Sequence, residues 1–188
     1  PVLWAVANGI TSGVDATHFE PEGTCTRAHA VTFLWRASGQ PEPKTTNMPF
    51  RDVKPGSYYE KAVLWAVENK ITNGTSTTTF SPDENCTRAQ IVTFLWRSKG
   101  EPYASDTNNP FTDIASDYYM DAVFWAVKEG ITKGTTPTTF SPNERCTRAP
   151  PRSGSQCAVD KGDDLRARAP FGRPEGRGGG GLCSAVRA

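Results

Sequence analysis

The chain has 188 residues, with 21 basic and 20 acidic side chains and a formal net charge of +1. It therefore carries neither the basic excess of a nucleic-acid binder nor that of a protein drawn to anionic membranes. No apolar run is long enough to insert in a bilayer, and no charged-then-apolar start resembles a secretory leader.

Residues 1–4 align with residues 62–65 of a second, fuller copy, so the chain reads as a fragment that begins inside a repeat. Trp4, Trp65 and Trp125 are spaced by 61 and 60 residues, and the same offsets relate Phe19, Phe80 and Phe140, Cys25, Cys86 and Cys146, and Arg27, Arg88 and Arg148. A period that regular means one supersecondary unit used three times. A unit of about 60 residues buries too little surface to stand well alone, so the copies are expected to share a core.

The first copy runs through Gly13 and Phe19 to Thr26-Arg27-Ala28-His29. A Pro- and Asn-containing linker follows at 40–49, then an aromatic-Asp lead-in, Phe50-Arg51-Asp52-Val53. In the second copy Tyr59, Ala62, Val63, Ala66 and Val67 share one stripe, which predicts an amphipathic helix over 57–69. Asn73-Gly74 supplies a turn tolerant of positive φ. Residues 75–85 form a polar loop anchored by Phe80, long for a connection inside a small unit and so a candidate for function. Thr87-Arg88-Ala89-Gln90 reads as a capping box that opens a second helix, with Ile91, Val92, Phe94 and Leu95 apolar and a glycine stop at Lys99-Gly100. The third copy repeats the lead-in as Phe111-Thr112-Asp113-Ile114 and breaks off at Pro150-Pro151, which removes hydrogen bonds and the apolar stripe, so its second helix is not expected to form.

The unit contains no strand period, and the fold class expected is all-α. The expected divisions are 1–39, truncated at its start, 50–100, complete, 111–149, lacking its second helix, and a disordered Arg- and Gly-rich tail at 150–188. The abrupt change in mid-motif reads as a reading-frame error or an artificial junction, with a genuine disordered extension as the alternative.

Three cysteines stand at one position of the repeat. The simplest reading is a small buried hydrophobe at each. A three-thiolate metal site would require all three to converge on one axis, and neither a CxxC pair nor a nearby His supports it. Catalysis is not expected either: His18 and His29 are the only histidines, neither recurs in the other copies, and no Ser or Cys lies beside a base.

Phe50-x-Asp52-Val53, Tyr58-Tyr59, Ala62-Val63-x-Trp65-Ala66, Ile71-Thr72-x-Gly74, Phe80-Ser81-Pro82 and Thr87-Arg88-Ala89, in that order, resemble the surface-layer homology (SLH) module of bacterial cell-envelope proteins. The resemblance covers residues 1–149. It implies three repeats packed as a pseudo-threefold helical bundle, secreted to the cell wall or S-layer, with no cofactor. The implied partner is secondary cell-wall polysaccharide, often held through a pyruvate ketal on an aminosugar, with other envelope proteins as further partners. It also implies ligand grooves between repeats and nominates Arg27, Arg88 and Arg148, with Trp4, Trp65 and Trp125, Asp52 and Asp113, and Gly13, Gly74 and Gly134 beside them.

Physical chemistry supports the arginines in part. A guanidinium fork matches a carboxylate, and Arg88 at the first turn of a capped helix would add unsatisfied N–H groups at the same place. The competing reading is a surface ion pair with Asp83, Glu84 or a neighbouring repeat's Asp, worth at most ~1 kcal/mol. For the tryptophans core packing ranks ahead of sugar stacking, and Trp35 and Trp96 are read as packing alone. Asp52 and Asp113 either meet ligand hydroxyls or cap a local turn, and the glycines answer a backbone need first. Because the second copy alone is complete, Arg88 is expected to have the best-formed site and Arg148 the poorest. The alternatives to wall anchoring are a helical-repeat interaction scaffold and a module flanking an absent catalytic domain.

Overall fold

The computed structural model describes residues 2–15, 17–104, 109–115 and 117–148. Its regular elements are α1 (Val2–Ala7), α2 (Arg27–Ala37), α3 (Glu60–Glu68), α4 (Arg88–Ser98) and α5 (Met120–Lys128). Among the described residues there is no strand, only isolated bridges. The all-α class and the two-helix unit joined by a long polar loop are both present. The expected loss of the third repeat's second helix, and the reading of residues 150–188 as a tail, fall outside the described residues.

Local chemistry sets the helix limits. The helix expected over 57–69 starts three residues later, at Glu60, because Glu60 N–H closes a turn on the Ser57 carbonyl at 3.1 Å. It ends where Lys70 swings to φ 57° and lets Ile71 N–H reach the Ala66 carbonyl at 2.8 Å. The capping box at α4 is complete: Gln90 N–H donates to Thr87 Oγ1 at 3.3 Å and Thr87 N–H donates to Gln90 Oε1 at 3.1 Å. At α2 His29 takes the glutamine's part, with Thr26 N–H donating to its Nδ1 at 3.3 Å.

The repeats are joined around a central axis by backbone alone. Cys25 N–H donates to the Cys146 carbonyl at 2.8 Å, Cys86 N–H to Cys25 at 2.8 Å, and Cys146 N–H to Cys86 at 3.0 Å, a closed ring of three hydrogen bonds. The three side chains beside this ring are buried thiols. Burial pushes the Cys86 thiol up to about 12. Among the described residues no group of three His, Cys, Asp or Glu is placed to hold a metal.

Outside the ring, the second helix of each repeat covers the first helix of the next: α2 packs on α3 and α4 on α5. Two apolar clusters result, one holding Val31, Leu34, Val63, Trp65 and Phe80, the other Val92, Val123, Trp125 and Phe140. Phe80 and Phe140 are fully buried. Trp35 and Trp96 do more than pack, since their indole N–H groups donate to the Pro41 and Pro102 carbonyls at 2.9 Å and pin the linkers. Leu3 and Trp4 are 85% and 45% exposed, where their equivalents Leu64 and Trp65 are 6% and 8%.

Candidate functional site

Each motif arginine reaches across to the loop of the following repeat. Arg27 Nε donates to the Phe80 carbonyl at 2.8 Å, Arg88 Nε to Phe140 at 2.8 Å, and Arg148 Nε to Phe19 at 2.9 Å. In each case the guanidinium lies over the ring of the same phenylalanine, 4.9, 4.7 and 5.0 Å from its centroid. Arg27 and Arg88 are 3% and 2% exposed. The arginines are thus cross-repeat clamps. Burial lowers the Arg27 guanidinium from its ordinary value, with the neighbouring Cys86 and Glu84 opposing.

One expectation is corrected. The helix N-terminus at Arg88 has no N–H groups left for a ligand: Arg88 N–H donates to Glu144 at 2.9 Å, Ala89 N–H to Pro142 at 3.0 Å, and Gln90 N–H to Thr87 Oγ1. At α2 the partners are Glu84 and Pro82. Orphan donors at a helix start must find acceptors, and the neighbouring repeat's loop supplies them.

What remains open is the outer edge of the guanidinium. Nη2 of Arg27 and Nη2 of Arg148 are buried and have no hydrogen-bond partner, a costly condition for charged donors. Beside Arg148 lies a groove of about 390 Å³, within the range of small-ligand sites, formed by three repeats at once. The first repeat contributes Thr11 to Val14, His29, Thr32, Phe33 and Arg36, the second Tyr58, and the third Arg148. Two arginines and no carboxylate line it. The Arg27 side repeats part of the arrangement one step on, with Phe94 5.5 Å from the guanidinium and Tyr118 close enough to interact electrostatically. At Arg88, Nη2 approaches Thr132 Oγ1 at 3.4 Å.

The other nominated residues hold the loops. Asp52 accepts from Phe80 N–H and Ser81 N–H at 2.8 and 2.7 Å, and Asp113 from Phe140 N–H and Ser141 N–H at the same distances. Each carboxylate thus caps a distant loop rather than its local turn. Gly74 and Gly134 sit at φ +82°, and a Cβ on either would lie 2.5 Å from the ring of the lead-in Phe50 or Phe111. Gly13, at φ +86°, lies on the groove wall. Trp65 and Trp125 belong to the apolar clusters, away from the groove, while Trp4 is on α1.

The groove's tyrosines went unnoticed as site residues, although the Tyr58-Tyr59 and Tyr118-Tyr119 doublets carry a signal. Adjacent rings cannot share one face. Tyr59 is 7% exposed and Tyr58 54%, packed edge to face with centroids 5.0 Å apart. Burial, then Tyr59 and Asp83, raises the Tyr58 phenol, with Arg148 opposing; burial and Asp117 raise Tyr118, with Arg27 opposing. Burial and then the Arg148 charge lower His29.

The S-layer homology domain family matches residues 1–31, 49–92 and 110–149, more than half of the chain. The chain is similar to an endoglucanase of Bacillus sp. (strain KSM-635), 38% identical over 57% of this chain and 11% of the relative. It is also similar to a cellulosome-anchoring protein of Acetivibrio thermocellus, 28% identical over 70% of this chain and 31% of the relative. A surface-layer 125 kDa protein of Lysinibacillus sphaericus is 30% identical over 74% of this chain and 12% of the relative. The chain thus spans a third or less of the length of these relatives.

Proposed function

The chain belongs to the S-layer homology domain family of cell-surface anchoring modules, and from that premise we propose that it acts without catalysis, its inter-repeat grooves gripping an anionic secondary wall polysaccharide to hold a larger protein on the cell surface. One observation carries the reading: Arg148, whose buried Nη2 has no hydrogen-bond partner, lines the groove together with Tyr58 and the Gly13 loop. A carboxylate on a sugar, such as a pyruvate ketal, supplies what that edge lacks. It accepts charge-assisted hydrogen bonds from the guanidinium while the ring of Tyr58 offers a face to the sugar. Among the described residues none that lines the groove is acidic, which limits the repulsion of an anion to that from the nearby Asp83.

Co-sedimentation with purified walls, before and after chemical removal of the ketal, tests this. Binding should be strong to untreated walls and lost on ketal-free ones. Tyr58→Ala, at an exposed position, should weaken binding while leaving the melting temperature nearly unchanged. Equal binding to both wall preparations would show that the carboxylate is not what the groove recognises.

A further inference from the structure

The surroundings of Arg148 and Arg27 are built on one plan but differ in sequence, with Ser12 and Val14 standing where the Arg27 side has Asn73 and Thr75, and two further differences bear on rings and charge. At the third helical position α2 has His29 where α4 has Gln90, and both side chains fill the same capping role. The imidazole also stacks between Phe33 and Tyr58, with centroids 6.1 Å from each and interplanar angles of 12° and 28°. The Arg148 groove thus has an unbroken wall of three rings, whereas α4 carries an amide, Gln90, at the position matching His29. The second difference lies in charge. Arg97, on the Arg27 side, meets Glu101 at 3.7 Å, while its equivalent Arg36 has Gln40 at the corresponding position and lines the Arg148 groove.

We infer that the grooves are unequal, and that His29 is the specificity-determining residue that makes the Arg148 groove the tighter site for an anionic sugar. The inference rests on the anchoring reading above. The ring wall provides a continuous apolar surface for a pyranose face, and Arg36 and Arg148 add cationic charge beside it, with Asp83 the carboxylate that acts on the rings His29 and Tyr58.

The test is a titration of the full chain with a pyruvate-ketal aminosugar glycoside. Binding is followed through the resonances of isotope-labelled Tyr58 and Tyr118, which report the two grooves separately. Tyr58 should respond at lower ligand concentration than Tyr118. His29→Gln, which installs the residue that already caps α4, should weaken the Tyr58 site by roughly threefold to tenfold and leave Tyr118 alone. Gln90→His should tighten the Tyr118 site, a gain that a merely structural role for His29 does not produce. Equal affinities in the wild type, or an unchanged Tyr58 titration in His29→Gln, would overturn the inference and leave wall anchoring intact. No response from either tyrosine would overturn the anchoring reading itself, and this inference with it.

Discussion

At the scale of single residues, the motif arginine does two jobs with two edges of one group. Nε and the face of the guanidinium bind the next repeat's phenylalanine, while Nη2 of Arg27 and of Arg148 is left without a hydrogen-bond partner. Arg27→Ala should therefore lower stability as well as ligand binding, by about 1–3 kcal/mol, since it leaves the buried Phe80 carbonyl unmatched; chemical denaturation measures this. The helical position and cap of Arg88 were legible in the sequence. Its carbonyl partner 52 residues away was not, because a contact between repeats leaves no trace in the pattern within one.

His29 gives a residue-scale prediction with a definite sign. Burial and Arg148 hold its folded pKa below the ordinary 6.5, with Asp83 opposing. The unfolded chain consequently takes up the proton first as pH falls, so this residue's contribution to stability is intact above about pH 6.5 and declines from there down to the folded value. Protonation also places a hydrogen on Nδ1, where Thr26 N–H now donates. Melting curves between pH 8 and 5 should show a steeper loss for wild type than for His29→Gln; parallel curves would contradict the assignment.

At the scale of elements, helix starts and the loop anchors carry the stability. Thr87→Ala removes the acceptor for Gln90 N–H and should cost ~1 kcal/mol in denaturant unfolding. Phe80→Ala, at a fully buried site, should cost about 3–5 kcal/mol and also disturb the Arg27 groove, since the guanidinium rests on that ring. The helices, the capping boxes and the buried tryptophans could be read from periodicity and from Thr-x-x-Gln spacing. The role of Asp52 could not: its partners lie 28 and 29 residues on, across the first helix, so the local sequence suggested only a local turn.

At the scale of the whole molecule, the threefold period forecast a shared core, and the cysteine ring shows how it closes. Three N–H to C=O links pass around one axis, so no repeat is complete without the next. Hydrogen exchange should find the amides of Cys25, Cys86 and Cys146 opening together and among the slowest in the chain. Three well-separated rates would mean that the repeats open independently. The same closure makes the Arg148 groove composite, since all three repeats contribute residues to it.

The account's central claim is that the outer edge of Arg148 takes a carboxylate from the wall polymer, and wall binding by Arg148→Lys tests it most directly. Lysine keeps the charge but lacks the planar fork and the second donor. Binding should fall by roughly ten- to a hundredfold, the weight of one or two charge-assisted hydrogen bonds, with the chain still folded by circular dichroism. Wild-type affinity in that folded variant would contradict the claim.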